Sequence, residues 1–165
     1  MFKTKFDFKK QLYIGELGEN DFISCYKNFG PIKSKDRKFD FILNNGDSVE
    51  LKTDTYDMNK TENFFMELYS DIDSNKIGGP WRARMDVITF FVYYFSINKT
   101  FFWFNPIALC MKIEEIIINN KLKPRIINNK GWKTQGYVIP RVSLLDIVIK
   151  KDYLWMESYS DTTKI

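Results

Sequence analysis

The 165-residue chain contains no histidine and only two cysteines, Cys25 and Cys110. The first absence excludes Ser-His-Asp and Cys-His nucleophile systems, histidine-bearing zinc sites and metal nucleases built on an imidazole. Any chemistry must therefore run on carboxylates, lysines or hydroxyls. The scarcity of cysteine removes a disulfide framework and a four-cysteine zinc site, which fits a reducing compartment with both thiols as small buried hydrophobes. Arginine is scarce too, with 5 against 20 lysines, and Ile and Asn are abundant, a bias that suits an AT-rich genome such as that of a phage or mobile element. No uncharged apolar run approaches membrane-spanning length. The start, Met1-Phe2-Lys3-Thr4-Lys5-Phe6-Asp7, lacks the apolar stretch of a signal peptide. The expectation is a soluble cytoplasmic protein, in the host cytoplasm if viral, with no membrane partner.

What is present suffices for a sizeable core: 44% of residues are hydrophobic and 28% charged. No repeat, low-complexity tract or linker divides the chain, so residues 1–165 read as one domain. Net charge is only +4, but it is unevenly spread. Residues 39–98 carry 10 acidic and 5 basic side chains, whereas residues 1–38 carry 5 and 9 and residues 99–151 carry 3 and 10. An acidic centre between basic arms suits a cation site with a phosphate-attracting rim, or an ordinary solvated surface.

Spacing of apolar residues predicts a first helix from about Lys9 to Phe29, stopped by Gly30-Pro31. Phe39–Leu43 and Ser48–Thr53 flank the turn Asn44-Asn45-Gly46-Asp47 and read as a hairpin. Asn63–Tyr69 reads as a third strand, and Trp81–Asp86 as a helical turn after Gly78-Gly79-Pro80. Val87–Phe95 and Thr100–Phe104 are apolar strands, more readily core or a dimer interface than base-stacking platforms. Asn105 caps a helix that opens on Pro106 and runs to about Asn119, Gly136–Pro140 reads as an edge strand, and Ser143 caps a short helix through Ile149. The order implies an α/β domain on a central mixed sheet flanked by helices.

The hairpin carries the chemistry. Asp40 stands on its first strand, and Glu50 and Lys52 share one face of the second, so the turn folds Asp40 back toward Glu50. Two carboxylates at one spot repel unless a cation sits between them, and Mg²⁺ accepts such oxygens, with the Leu51 carbonyl available to complete the set. The bland alternative is an exposed cross-strand ion pair.

Asp40, nine residues, then Glu50-Leu51-Lys52 resembles the motif of the PD-(D/E)XK, or restriction-endonuclease-like, nuclease superfamily. The α-β-β-β-α-β order over about Lys9 to Phe104 is similar to that family's core, with the C-terminal elements as additions, and Phe39 stands where the family usually has proline. The stretch from Lys52 to Asp86 with the aromatic hairpin behind it looks like small phage-type endonucleases and Holliday-junction resolvases. The resemblance implies a Mg²⁺-dependent DNA endonuclease, with Mn²⁺ as a substitute. Asp40, Glu50 and the Leu51 carbonyl would be metal ligands, and Lys52 the group that orients or helps deprotonate the attacking water. A first-helix glutamate completes the set in many relatives. Glu16, between Gly15 and Gly18, is preferred over Glu19, and Glu67 is a further candidate.

Arg82 and Arg84, and Lys130 and Lys133 in the basic segment that also holds Lys121, Lys123 and Arg125, are candidate nucleic-acid contacts. A homodimer acting on branched or duplex DNA is expected. The alternatives are a restriction or homing endonuclease of the same fold, an RNA-directed enzyme, and an inactive nucleic-acid-binding module.

Overall fold

In the computed structural model, which describes residues 8–154, the turn at Asn44–Asp47 forms as its chemistry dictates. Gly46 takes φ +89°, the Asn45 side chain accepts the Asp47 N–H at 3.1 Å, and Leu43 N–H reaches the Asp47 carbonyl at 2.9 Å. The turn joins β2 (Phe41–Ile42) to β3 (Ser48–Asp54) with Phe41 opposite Val49, and β1 (Ile32–Lys33) adds outside β2. The N-terminal stretch Met1–Asp7, read above against a signal peptide, lies outside the described residues.

The other edge of β3 pairs in parallel with β6 (Phe90–Phe95), which hairpins into β7 (Thr100–Phe104), and β10 (Lys150–Tyr153) closes that side. The result is a mixed six-stranded sheet, β1-β2-β3-β6-β7-β10, in an α/β architecture. Its centre is where an uninterrupted aromatic run belongs: Phe91–Phe95 and Thr100–Phe104 are buried throughout.

The predicted third strand forms as β4 (Asn63–Asp71) but does not join this sheet. It sits in a second, antiparallel one, β5-β4-β9-β8, with β5 (Lys76–Ile77), β8 (Arg125–Asn128) and β9 (Lys133–Pro140). The parallel pairing with β6 occupies the edge of β3 that β4 would otherwise take. Gly136–Pro140, read as an edge strand, is instead part of an interior one, flanked by β4 and β8; Pro140 is tolerated because it ends the strand. Ser143 caps nothing: it lies inside a 3-10 segment, Arg141–Ile147, that follows Pro140 without a side-chain cap.

Three helices cover the strands. α1 (Phe8–Cys25) contributes Phe22, which packs with Tyr26, Val49, Val92, Tyr94, Phe101 and Trp103 on one face of the large sheet. On the other face, Phe91, Tyr93, Phe95, Phe102 and Phe104 meet Phe64 and Met66 of β4, Ala83 of α2 (Gly79–Met85), and Leu109 and Ile113 of α3 (Pro106–Asn120). Asn105 caps α3 as expected, its Oδ1 accepting the N–H groups of Ile107 at 3.0 Å and Ala108 at 3.1 Å. No helix among the described residues is long and apolar enough to cross a membrane.

Tyr93 ties the two sheets together. Tyr93 of β6, fully buried, donates its hydroxyl to Asp54 at the end of β3 and accepts the Phe65 N–H of β4 at 3.2 Å. Burial, then the Asp54 charge, pushes the Tyr93 hydroxyl far above its ordinary range, so it stays protonated and keeps donating.

Candidate active site

Asp40 immediately precedes β2. Its N–H reaches the carbonyl of Val49, the residue opposite Phe41, at 2.9 Å, and it lies close enough to Glu50 for its charge to act there. Its carboxylate then accepts the Leu51 N–H at 2.8 Å, replacing the backbone carbonyl that a longer β2 would have supplied. A strand residue's N–H and C=O point to the same side, so the Leu51 carbonyl faces this edge as well.

Both carboxyls are raised, and for related reasons. Asp40 is lifted to about 6 by burial first, against the Leu51 N–H, which lowers it; the Glu19 charge raises it further, while Arg82 and Lys33 oppose. Glu50 is lifted to about 8 by burial and then by the charge of Asp40, with Arg82 and Lys52 opposing and Asp86 adding to the rise. Burying two acids side by side disfavours the doubly ionised form, and a divalent cation would offset that cost.

Of the two α1 glutamates, the structure brings Glu19 and not Glu16 toward this pair. Glu19 binds Lys33 at 2.6 Å and its charge acts on Asp40, whereas Glu16 is exposed. The reason is helical geometry. Gly18 lies flat on β3, where a Cβ would come within 1.9 Å of Thr53 Oγ1. At 3.6 residues per turn, Glu16 stands about 200° around the helix from Gly18, and Glu19 about 100°.

Lys52 shares the face of Glu50 and lies 3.6 Å from Glu67 of β4, so Glu67 serves as a partner for the lysine. Glu67 is tightly seated: a Cβ on Gly78 would sit 2.5 Å from Glu67 Oε1, and one on Gly79, at φ +50°, 2.4 Å from the Glu67 carbonyl oxygen. The Gly78-Gly79 pair is thus more than a turn; it lets α2 approach β4 closely. Arg82 of α2 acts on both Asp40 and Glu50 while binding Asp86 at 3.3 Å and the Arg37 carbonyl at 3.0 Å. Arg84 points elsewhere, sharing Glu114 Oε1 with Trp81 Nε1 at 3.0 Å each, and so ties α2 to α3. Lys130 and Lys133 lie in and beside the β8–β9 turn on the second sheet, Lys130 exposed and Lys133 4.0 Å from Asp73.

Among the described residues no three carboxylates or thiols converge to hold a metal by themselves. Mg²⁺ commonly takes only one or two protein carboxylates and keeps water or substrate phosphate for the remainder. Asp40, Glu50 and the Leu51 carbonyl fit that donor set.

A groove of about 960 Å³ opens beside Lys52 and Glu67, between the end of β3 and the second sheet. Lys60, Lys76 and Arg125 line it together with Tyr56, Phe65 and Trp132. Lys60 and Lys76 stand isolated in sequence, so no pattern marks them; only Arg125 belongs to a visible basic cluster. Compared with known proteins, the chain matches no family model and no curated protein.

Proposed function

We propose that this chain is a Mg²⁺-dependent DNA endonuclease of the PD-(D/E)XK kind, with Mn²⁺ as a substitute metal. The observation that carries the reading is the half-buried pair Asp40 and Glu50 beside the start of β2, with the Asp40 charge acting on Glu50 and Lys52 next along the face of Glu50. Asp40, Glu50 and the Leu51 carbonyl would hold the metal, with the Glu19 charge acting on Asp40 and that of Asp86 on Glu50. Bound there, the ion would lower the pKa of water and offset the charge that builds on the scissile phosphate. Lys52 orients the attacking water and stabilises the developing negative charge. Arg82, with the pair ionised, faces the entering phosphate. The finer substrate reading is a branched DNA cut by a homodimer.

A second reading is supported by Arg82 itself. Its guanidinium already acts on both carboxylates, as a cation would, which suits a nucleic-acid-binding module without cleavage. Incubating junction, duplex and RNA substrates with Mg²⁺ or EDTA separates the two. Mg²⁺-dependent cutting that Glu50→Gln abolishes supports the nuclease; binding without cutting, unchanged by Lys52→Ala, supports the module.

A further inference from the structure

We propose that the groove between β3 and the second sheet binds an unpaired DNA strand next to the metal site, so that the substrate carries single-stranded nucleotides beside the scissile phosphate. As a substrate assignment this rests on the nuclease reading; as a binding site it stands alone. Three observations converge on it.

The first is charge. Each acid lining the groove is already engaged: Asp54 takes the Tyr93 hydroxyl and the Tyr56 N–H, Glu67 takes Lys52, and Asp71 takes the Asp73 N–H and the Ser74 hydroxyl. Lys60, Lys76 and Arg125 form no ion pair among the described residues, although Lys60 and Asp57 act on each other through their charges. With Lys52, four basic against three acidic side chains leave the groove mildly positive, which suits a phosphodiester backbone.

The second is aromatic surface. Phe65 lines the groove with the tip of its ring against Gly136, where a Cβ would be 2.7 Å from Phe65 Cζ. Tyr56 stands at the groove with 62% of its surface exposed. Flat rings beside free cations are how proteins hold single strands without reading sequence.

The third is size. A space of about 960 Å³ is that of a large small-molecule pocket, room for one or a few nucleotides. Lys52 lines the same groove, so a strand lying in it reaches the lysine beside Glu50.

The test is fluorescence anisotropy of the full chain in EDTA with a labelled oligothymidylate of about eight nucleotides, a length within known single-strand site sizes, and with a duplex of equal length. Wild type is expected to prefer the single strand. The triple variant Lys60→Ala/Lys76→Ala/Arg125→Ala should lower the salt slope by about 2, since each phosphate contact on a single strand contributes about 0.7. Tyr56→Ala should weaken binding roughly tenfold and leave that slope unchanged. These side chains are solvent-facing, and an unchanged circular dichroism melt checks that the variants fold. Equal or tighter duplex binding, or an unaltered slope in the triple variant, overturns the proposal. Strand binding without Mg²⁺-dependent cleavage would uphold the groove and sink the nuclease; cleavage of duplex without strand binding would do the reverse.

Discussion

Asp40 does for β3 what a backbone carbonyl does elsewhere in the sheet: its side chain closes the Leu51 N–H at 2.8 Å. One carboxylate thus completes the ladder and forms half of the proposed metal site. The two roles separate by substitution. Asp40→Asn keeps an acceptor for the amide, so it should melt near wild type while losing Mg²⁺ affinity and at least about a hundredfold in cleavage. Asp40→Ala leaves the amide unpaired and should cost a further 1–3 kcal/mol or so of stability, read by urea denaturation.

Stability of the metal-free protein should fall as pH rises. Asp40 and Glu50 have folded-state values raised to about 6 and about 8, above those of the unfolded chain. Folding therefore favours their protonated forms, and the stabilisation is fully present below about pH 4 and lost as pH climbs through 6 to 8. Denaturation in EDTA between pH 5 and 8 should show a loss on the order of 2 kcal/mol, and Glu50→Gln should flatten most of it. Adding Mg²⁺ at pH 8 should restore stability, and calorimetry at pH 7 should register proton release on binding. A pH-independent curve would contradict the raised carboxyls of Asp40 and Glu50.

Lys52 and Glu67 are expected to differ sharply in function and little in stability. Their contact is long and partly exposed, so either loss should cost under about 1 kcal/mol. Lys52→Ala should abolish cleavage while Mg²⁺ binding persists. Glu67→Gln, which leaves the lysine in place without its partner, should retain metal binding and shift the pH profile of cleavage.

Gly18→Ala tests how α1 sits on β3. With Thr53 Oγ1 only 1.9 Å from the added carbon, the Thr53 side chain or the helix must shift, which should cost roughly 1–3 kcal/mol. Thr53→Ala in the same chain should recover part of this, giving a coupling energy in a double-mutant cycle.

Much of this architecture was legible in the residues because the signals are local. Asn44-Asn45-Gly46-Asp47 specifies a turn and Asn105-Pro106 a helix start, and both form where expected; the buried strand expected from Val87 begins only at Phe90, because Val87 turns at φ +56° with its side chain exposed. Pairing of Asp40 with Glu50 followed from the same hairpin. What stayed hidden depends on partners distant in sequence. Whether β4 joins β3 is decided by competition with β6, and whether β9 is an edge is decided by β8, an element too short and polar to stand out. Glu16 points away from the pair because Gly18 itself makes the contact with β3, which the presence of two nearby glycines does not specify.

The placement of β4 outside the main sheet divides the candidate catalytic apparatus between two independently hydrogen-bonded bodies. Carboxylates ride on one; the glutamate facing Lys52 rides on the other; the Tyr93 phenol and the lysine span the seam. A polymer entering that seam would meet the Lys52–Glu67 pair, whose two members belong to different sheets.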